Sequence, residues 1–399
     1  MTPPVPPGNA FEEGGSLSGI LHALIEKADL CAREAGYPPL ALRDEYHRHM
    51  TMLIAQGYAQ TFGANVAYPQ FVLHTGTLFP WGAPNHDTVY KFAPVEDHCH
   101  YLISGRKGTE SLSTVMVRKG GANVGRMHGA PLLDVDIADL PGGPSDEFEF
   151  MLSPSKPSDY AGAWFEMPSG ATGLVSRHVT ELPEQSDGTI CVQRLDAGQA
   201  SCFMKGDAAR AHMDNLCGFV SELNSFLIAH MQKLRANCLN QLVSERFREQ
   251  GGIAKQLYFQ GAWEIEPDEA LIIESAMPSK VGYWSVQLLD AFFAGIDPVC
   301  HFTAYNGRQV EPDSDGHVRF VVSLEDPGIA NWLEPAGWKQ GGMMWRWHDA
   351  DHYPQPIVRK VPVAKLKDEL PRDVSMLEPG QREVLRAARI RQYQSRRRL

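Results

Sequence analysis

The chain has 399 residues, of which 43% are hydrophobic and 21% are charged, a composition typical of folded globular proteins. Its formal net charge of −11 disfavours nucleic acid and anionic membrane surfaces as partners. No run of roughly 18 apolar residues predicts a membrane span, and the Pro- and Gly-rich start has neither the basic nor the apolar region of a secretory signal. The 7 cysteines are irregularly spaced and include no C-x-x-C pair, as expected of reduced thiols, so we expect a cytoplasmic protein.

Helical periodicity occurs at both ends and in the middle of the chain. After a disordered lead-in over residues 1–16, apolar residues at helical spacing predict helices over residues 17–62. A proline-free segment predicts a central helical region over residues 206–250. Residues 378–399 predict a basic helix or tail that is either solvated or bridges two copies of the chain.

Short β-like runs separated by Gly, Pro, Asn and Asp fill the two remaining stretches, residues 65–200 and 253–365. In the second stretch, Asn306-Gly307 is a dipeptide that favours a β-hairpin turn. The spacing of the runs is typical of antiparallel sandwiches. The sequence therefore predicts a mixed β/α fold with two antiparallel β-sandwich or jelly-roll-like regions and with N-terminal, central and C-terminal helices.

The motifs that bind nucleotides are missing from the sequence. It has no G-x-G-x-x-G between a strand and a helix and no G-x-x-x-x-G-K-[ST]. It also lacks the H-E-x-x-H of metalloproteases and the G-x-S-x-G of many hydrolases. We therefore predict no cofactor. A metal remains an alternative, because His98 and His100 would share a strand face and need only a third ligand, such as His348, from elsewhere.

The most distinctive segment is FPWGAPNHDTVYKFAPV, residues 79–95, which crowds polar groups against aromatic ones at the start of a predicted strand. Its candidate residues are Trp81, Asn85, His86, Asp87 and Tyr90. A carboxylate beside an aromatic surface can have a raised pKa and act as a general acid or base. The alternative is structural, since Asn and Asp before a strand commonly bond the backbone of a tight turn.

Two strands of the second β-rich stretch carry polar side chains among aromatic ones. In YWSVQLL, Tyr283 and Gln287 share one face, beside Trp284, and form either a pocket wall or a solvent-facing edge. In MMWRWHD, Arg346 lies between two tryptophans and either binds an anionic group or stacks as a structural residue. His348 shares the face of Arg346 and titrates near neutral pH if unperturbed.

In the first β-rich stretch, GLVSRHV places Arg177 and His178 on opposite faces of a strand, so we expect only one of them in a shared site. The predicted catalytic residues are Asp87, His86, Tyr90, Tyr283 and Arg346. The predicted substrate-binding residues are Asn85, Trp81, Trp284, Gln287, Arg177 and His348.

Several segments together resemble the bacterial family defined by domain of unknown function 1214, often found with its relative numbered 1254. The matching pieces are NHDTVYKFAPV, HYLISGRKG, FEFMLSPSKP, GYWSVQLLD, FVVSLEDPGIANWLEPAG and GMMWRWHD. The family pattern Asn-Pro-Asp-x-x-Tyr corresponds to Asn85, Asp87 and Tyr90, with His86 where proline is usual. The resemblance covers residues 65–363 and implies β-sandwich or jelly-roll domains with helical additions. By association it also implies a setting in the catabolism of steroids, terpenoids or aromatic compounds.

Polar groups within aromatic-rich strands predict a cofactor-independent enzyme that acts on a hydrophobic small organic molecule. The expected chemistry is general acid–base catalysis of lyase, isomerase or hydrolase type, with Asp87 or His86 moving a proton. Tyr90 and Tyr283 are expected to donate hydrogen bonds to a substrate oxygen, and Arg346 to hold an anionic group or a developing oxyanion. The alternatives are a non-catalytic binding protein that uses the same pocket and a metal-dependent hydrolase or lyase. Each of these three functions is compatible with a homo-oligomer.

Overall fold

The computed structural model describes residues 17–36, 38–127, 129–142, 146–198, 208–245, 252–253 and 255–396. The predicted lead-in over residues 1–16 lies outside the described residues. Two β-rich regions, each made of two sheets, pack together with helices in a mixed β/α fold. The prediction of antiparallel β-rich regions with N-terminal, central and C-terminal helices is therefore confirmed. No helix in the described part of the chain is both long and apolar enough to span a membrane.

The helices of the described residues are α1 (Leu17–Ala35), α2 (Arg43–Thr61), α3 (Ala208–Asn237), α4 (Leu366–Glu369) and α5 (Gln381–Arg396). The central helix is shorter than the 206–250 segment predicted from its lack of proline. It ends at Asn237, and Asn240 then adopts a left-handed backbone conformation with φ of 52°. Asparagine tolerates this conformation better than most residues, so the chain turns and forms a strand instead.

The strands of the first region are β1 (Val72–Leu73), β2 (Thr88–Pro94), β3 (Tyr101–Arg106), β4 (Leu112–Arg118), β5 (Pro131–Asp136), β6 (Glu147–Ser153), β7 (Ala163–Glu166), β8 (Gly173–Val179) and β9 (Thr189–Arg194). One sheet has the order β1-β2-β8-β4-β5 and the other β7-β6-β3-β9, with only the β6–β7 pair parallel. Alternation in EFEFMLS directs Phe148, Phe150 and Leu152 into the core between these sheets, while Glu147 and Glu149 are exposed.

The strands of the second region are β10 (Val243–Glu245), β11 (Gln256–Glu264), β12 (Glu269–Ala276), β13 (Val281–Leu288), β14 (Ala304–Asn306), β15 (His317–Val322), β16 (Trp332–Leu333), β17 (Gln340–Ala350) and β18 (Ile357–Pro362). Its sheets have the orders β10-β11-β17-β13-β14 and β16-β15-β12-β18. Trp284, Trp345 and Trp347 lie in the core between them, and the rings of Trp284 and Trp345 stack with centroids 5.2 Å apart.

The Asn306-Gly307 dipeptide does not form the predicted β-hairpin. It lies at the end of β14, which pairs with β13, whereas the next strand, β15, pairs with β12 in the other sheet. The turn therefore carries the chain from one sheet to the other. A dipeptide indicates the local reversal of the chain, but the partner of each strand is selected by long-range packing.

The remaining face of the β11-β17-β13 sheet is covered by α3, the N-terminal helices and the loop that precedes β2. Leu223, Leu227 and Met231 of α3 belong to the same buried cluster as Trp81 and Met344. This sheet is consequently buried on both faces, and its polar side chains on the helix side lie inside the protein. That burial positions the candidate site.

Candidate functional site

A cavity of about 590 Å³ opens beside the loop that precedes β2. Its wall includes Asn85, His86 and Asp87 from that loop and Gln287 from β13. Apolar side chains of Leu78, Phe79 and Ile296 and the ring of Tyr393 complete much of the lining. The volume falls within the range of small-molecule sites, which combine an apolar wall with a few polar groups.

The carboxylate of Asp87 is the most constrained polar group of this wall, and its side chain is 2% exposed. Its Oδ2 accepts a hydrogen bond from the hydroxyl of Tyr283 at 2.9 Å and another from Nδ2 of Asn306 at 3.0 Å. Nε2 of His86 lies 3.4 Å from Oδ1. Asp87 is thus held in one orientation, next to a second group that can carry a proton.

Asn85 holds the same turn from the other side. Its Oδ1 accepts hydrogen bonds from the Asp87 backbone N–H at 3.2 Å and from the Tyr283 hydroxyl at 2.9 Å. The Asn85 N–H in turn donates to the Tyr90 hydroxyl at 3.1 Å. Asn85 therefore makes the backbone contacts of a tight turn, as expected if this segment has a structural role. The same segment also lines the cavity.

Tyr283 does not face the cavity as a substrate donor, contrary to the sequence-based expectation. Its single hydroxyl proton is shared between Asp87 and Asn85 behind the cavity wall. Burial, together with the nearby charge of Asp87, raises the pKa of Tyr283 well above its ordinary value, so the hydroxyl stays protonated. Tyr283 therefore positions Asp87.

Arg346 lies on the far side of the same loop. Its guanidinium donates to Gln287 Oε1 at 2.9 Å and to the carbonyl oxygen of Ala83 at 2.5 Å. Ala83 has a φ of 51°, a conformation that strains a residue with a Cβ. The Ala83 N–H also donates to the carbonyl of Phe293 at 2.9 Å, so two hydrogen bonds hold the strained loop against the second region.

A second cavity of about 150 Å³ lies between the β2-β8-β4 and β11-β17-β13 sheets. Asn85 and Tyr90 line both cavities, so the loop preceding β2 separates them. The predicted residues Trp81, Arg177 and Arg346 line only this smaller cavity. Arg346 and Asp87, which the sequence predicts as members of one catalytic set, therefore do not line the same cavity. They face two neighbouring chambers because the loop passes between them.

Two predicted binding residues line neither cavity. Trp284 points into the core between the two sheets of the second region, because it alternates with Tyr283 along β13. His348 is buried beside Tyr283 across the β13–β17 pair, and burial lowers its pKa. Arg177 and His178 do point to opposite faces, since Arg177 lines the small cavity and His178 contacts Ser113 and Glu110 at 2.9 Å each.

Three residues of the site are not predicted from the sequence: Asn306, Arg118 and Tyr393. Asn306 had a local signal, the Asn-Gly dipeptide, but that signal indicated a turn. Arg118 ends the strand STVMVRKG. Period-two alternation places its side chain on the same strand face as that of Thr114, which was the local signal available. Tyr393 reaches the larger cavity only because α5 packs beside it, which no local pattern reveals.

Among the described residues, His98 and His100 do not belong to one group of three closely spaced potential metal ligands. His98 lies in a turn, so the strand alternation that would align it with His100 is absent. Among the described residues, potential ligand atoms of Glu96, His98 and Cys99 lie within 4.8 Å of one another. The His98 side chain is 72% exposed, Glu96 Oε2 already accepts from Arg194 at 2.9 Å, and none of the three residues lines either cavity.

No family model and no curated protein matches the chain. A solved structure of an uncharacterized protein from Burkholderia cenocepacia aligns with a TM-score of 0.80 at 24% identity, covering 87% of this chain and 96% of that one. A protein from Vibrio parahaemolyticus aligns with a TM-score of 0.44 at 11% identity, covering 78% of this chain and all of the other. The resemblance to the domain of unknown function 1214 family stays a prediction. The chain shares its fold with the Burkholderia cenocepacia protein.

Proposed function

We propose that the chain is an enzyme that acts on a hydrophobic small organic molecule in the larger cavity by general acid–base chemistry. The observation that carries this proposal is the buried Asp87 carboxylate at the cavity wall, oriented by Tyr283 and Asn306 and adjacent to His86. A carboxylate fixed in a largely apolar cavity is less solvated than one in water, which favours proton transfer from a bound substrate. The class of reaction is that of a lyase, isomerase or hydrolase.

In this proposal Asp87 removes a proton from the substrate and His86, 3.4 Å away, relays or returns it. The electron pair left behind develops negative charge on a substrate oxygen. Tyr90 lines the cavity, and its hydroxyl accepts from the Asn85 N–H, which leaves the hydroxyl proton to be donated to that oxygen. Gln287 accepts from Arg346 through Oε1, which leaves its amide NH₂ as the second donor.

The proposed substrate class includes the steroids, terpenoids and aromatic compounds implied by the family resemblance. A panel of ketones from these three classes, incubated with the protein in D₂O, tests it by NMR detection of hydrogen exchange next to the carbonyl. Asp87→Asn should slow exchange at least about 100-fold if Asp87 is the base. Asp97→Asn is the matched control, because the Asp97 carboxylate accepts a backbone N–H from Gly170 at 2.6 Å but lines neither cavity.

An Asp87→Asn variant that exchanges as fast as the wild type removes Asp87 from this role. Exchange no faster with wild-type protein than in buffer excludes proton abstraction from these ketones.

The second candidate is a non-catalytic carrier or sensor that uses the same cavity. The apolar lining by Leu78, Phe79 and Ile296 favours it, since retention of a hydrophobic ligand needs no proton transfer. Native mass spectrometry of the purified protein, before and after prolonged incubation, distinguishes the two candidates. A co-purifying ligand that remains chemically unchanged supports the carrier and opposes the enzyme.

A further inference from the structure

The smaller cavity brings three arginines together from three different strands. Arg118 ends β4, Arg177 lies in β8 and Arg346 in β17, and all three are buried, with exposures of 8%, 7% and 2%. The first two strands belong to the first β-rich region and the third to the second region. The cluster therefore exists only because the two regions pack together.

The part of this lining that the structure describes is rich in arginine. Among the described residues, neither aspartate nor glutamate lines it, and no carboxylate lies within 4.0 Å of the guanidinium of Arg118 or Arg346. Arg118 donates to the carbonyl oxygens of Lys119 and Met127 at 3.1 and 2.8 Å, and Arg346 donates only to Gln287 and Ala83 among the described residues. Neutral acceptors offset little of the several kcal/mol that burial of a charge costs.

Trp81 supplies a further donor in this lining, and His74 is a titratable group beside it. The Trp81 side chain lines the cavity and is 8% exposed, and its indole N–H has no acceptor among the described residues. His74 also lines the cavity, and burial, with the charges of Arg118 and Arg177, lowers its pKa well below the ordinary value. Burial and the charge of Arg177 likewise lower the pKa of Arg118 to about 10. Both shifts follow from the positive charge that is gathered in this buried space.

We propose that the smaller cavity is an anion-binding site for a carboxylate or phosphate group, held by Arg118, Arg177 and Arg346 together with the Trp81 N–H. Guanidinium groups bind such oxyanions through paired N–H donors. The cavity of about 150 Å³ has room for a group of this size but not for a large ligand. Because Asn85 and Tyr90 line both cavities, the anion is either free or the charged end of a molecule that continues into the larger cavity.

Isothermal titration calorimetry tests the site at constant ionic strength in sodium chloride, with four probes. Inorganic phosphate and acetate represent the free anion. 4-Phenylbutyrate represents an anion attached to an apolar body, and 4-phenylbutanol is its uncharged counterpart. Tighter binding of 4-phenylbutyrate than of acetate, with no binding of the alcohol, assigns the charge to the end of a larger ligand. Binding of phosphate or acetate alone assigns a free anion.

Arg118→Met and Arg346→Met should each weaken binding of the anions at least 10-fold, because each variant removes one guanidinium while keeping an unbranched apolar side chain. Arg372→Met, at an exposed position, is the matched control and should bind as the wild type does. Asp87→Asn should keep full binding of phosphate and acetate, because Asp87 does not line the smaller cavity, so a failure of the acid–base proposal leaves this one standing. No anion binding by the wild type, or binding that both Arg118→Met and Arg346→Met retain, overturns the proposal.

Wild-type crystals soaked in sodium selenate give a test that does not depend on the correct folding of a variant. An anomalous difference peak among the three guanidinium groups is the expected result. A peak only at surface positions, or none, contradicts the site.

Discussion

Removal of the Tyr283 hydroxyl tests whether Asp87 is held as a buried, oriented carboxylate. In Tyr283→Phe, Asp87 Oδ2 loses the hydrogen bond from the hydroxyl and keeps the one from Asn306, and Asn85 Oδ1 keeps the bond from the Asp87 backbone N–H. A hydrogen bond to a charged group contributes about 1.5–3 kcal/mol, whereas a neutral one contributes about 0.5–1.5 kcal/mol. Since the site is closed to water around Tyr283, we expect a loss of about 2–3 kcal/mol in the free energy of unfolding.

Tyr305→Phe is the matched control. Tyr305 is also buried, and its hydroxyl likewise has two acceptors, the carbonyl oxygens of Ala330 at 3.2 Å and Trp332 at 3.1 Å. Both acceptors are uncharged, so we expect a loss of only about 1 kcal/mol. The difference between the two variants measures the contribution of the Asp87 charge.

Urea-induced unfolding at pH 7 supplies both free energies, and unchanged slopes against urea concentration show that the variants unfold from comparable states. In a double-mutant cycle, Tyr283→Phe combined with Asp87→Asn should give a coupling energy of about 1 kcal/mol or more. A loss in Tyr283→Phe no larger than that in Tyr305→Phe, together with zero coupling, would refute the charged hydrogen bond.

Two further predictions concern stability. Burial raises the pKa of Asp290 from its ordinary value of 3.8 to about 6. Between pH 3.8 and about 6 the folded protein therefore binds more protons than the unfolded chain, and the contribution of Asp290 to the free energy of unfolding falls as the pH rises. Asp290→Asn should therefore remove up to about 3 kcal/mol of this pH dependence, measured by urea unfolding from pH 4 to 7, and an unchanged profile would contradict it. Arg382 donates to the Asp326 carboxylate at 2.9 and 3.1 Å and to the carbonyl of Ile329 at 2.5 Å, so Arg382→Met should cost about 2 kcal/mol. The exposed Arg391 of the same helix is the control, with Arg391→Met expected to cost less than about 0.5 kcal/mol; equal costs would show that α5 is not anchored through Arg382.

The anchoring of α5 also bears on the basic C-terminal segment. Three of its arginines, at 382, 386 and 389, donate to backbone carbonyls of the second region or to its carboxylates, and the Arg382 and Arg389 guanidinium groups lie over the rings of Phe302 and Tyr305. The positive charges at these positions therefore interact with acceptors of the same chain. A charge pattern shows that cations are present, but only packing shows which acceptors they meet.

Local patterns determined the elements of this protein well. The helical periodicity of residues 17–62 predicts α1 and α2, and period-two alternation in EFEFMLS predicts which side chains of β6 enter the core. Both patterns express burial of one face of a single element, so neighbouring residues carry the information. The same alternation places Tyr283 and Gln287 on one face of β13 and Trp284 on the other, although the sequence gives no reason to prefer either face as the core.

Only the tertiary structure decided how those elements combine. The sequence places Asp87, Asn306 and Tyr283 far apart, and their hydrogen bonds form because the loop before β2 packs against the second β-rich region. The same packing separates Arg346 from Asp87 and groups it with Arg118 and Arg177 instead. Such contacts join residues that are distant along the chain, and they depend on the relative placement of whole sheets. Periodicity within one strand or helix does not encode that placement.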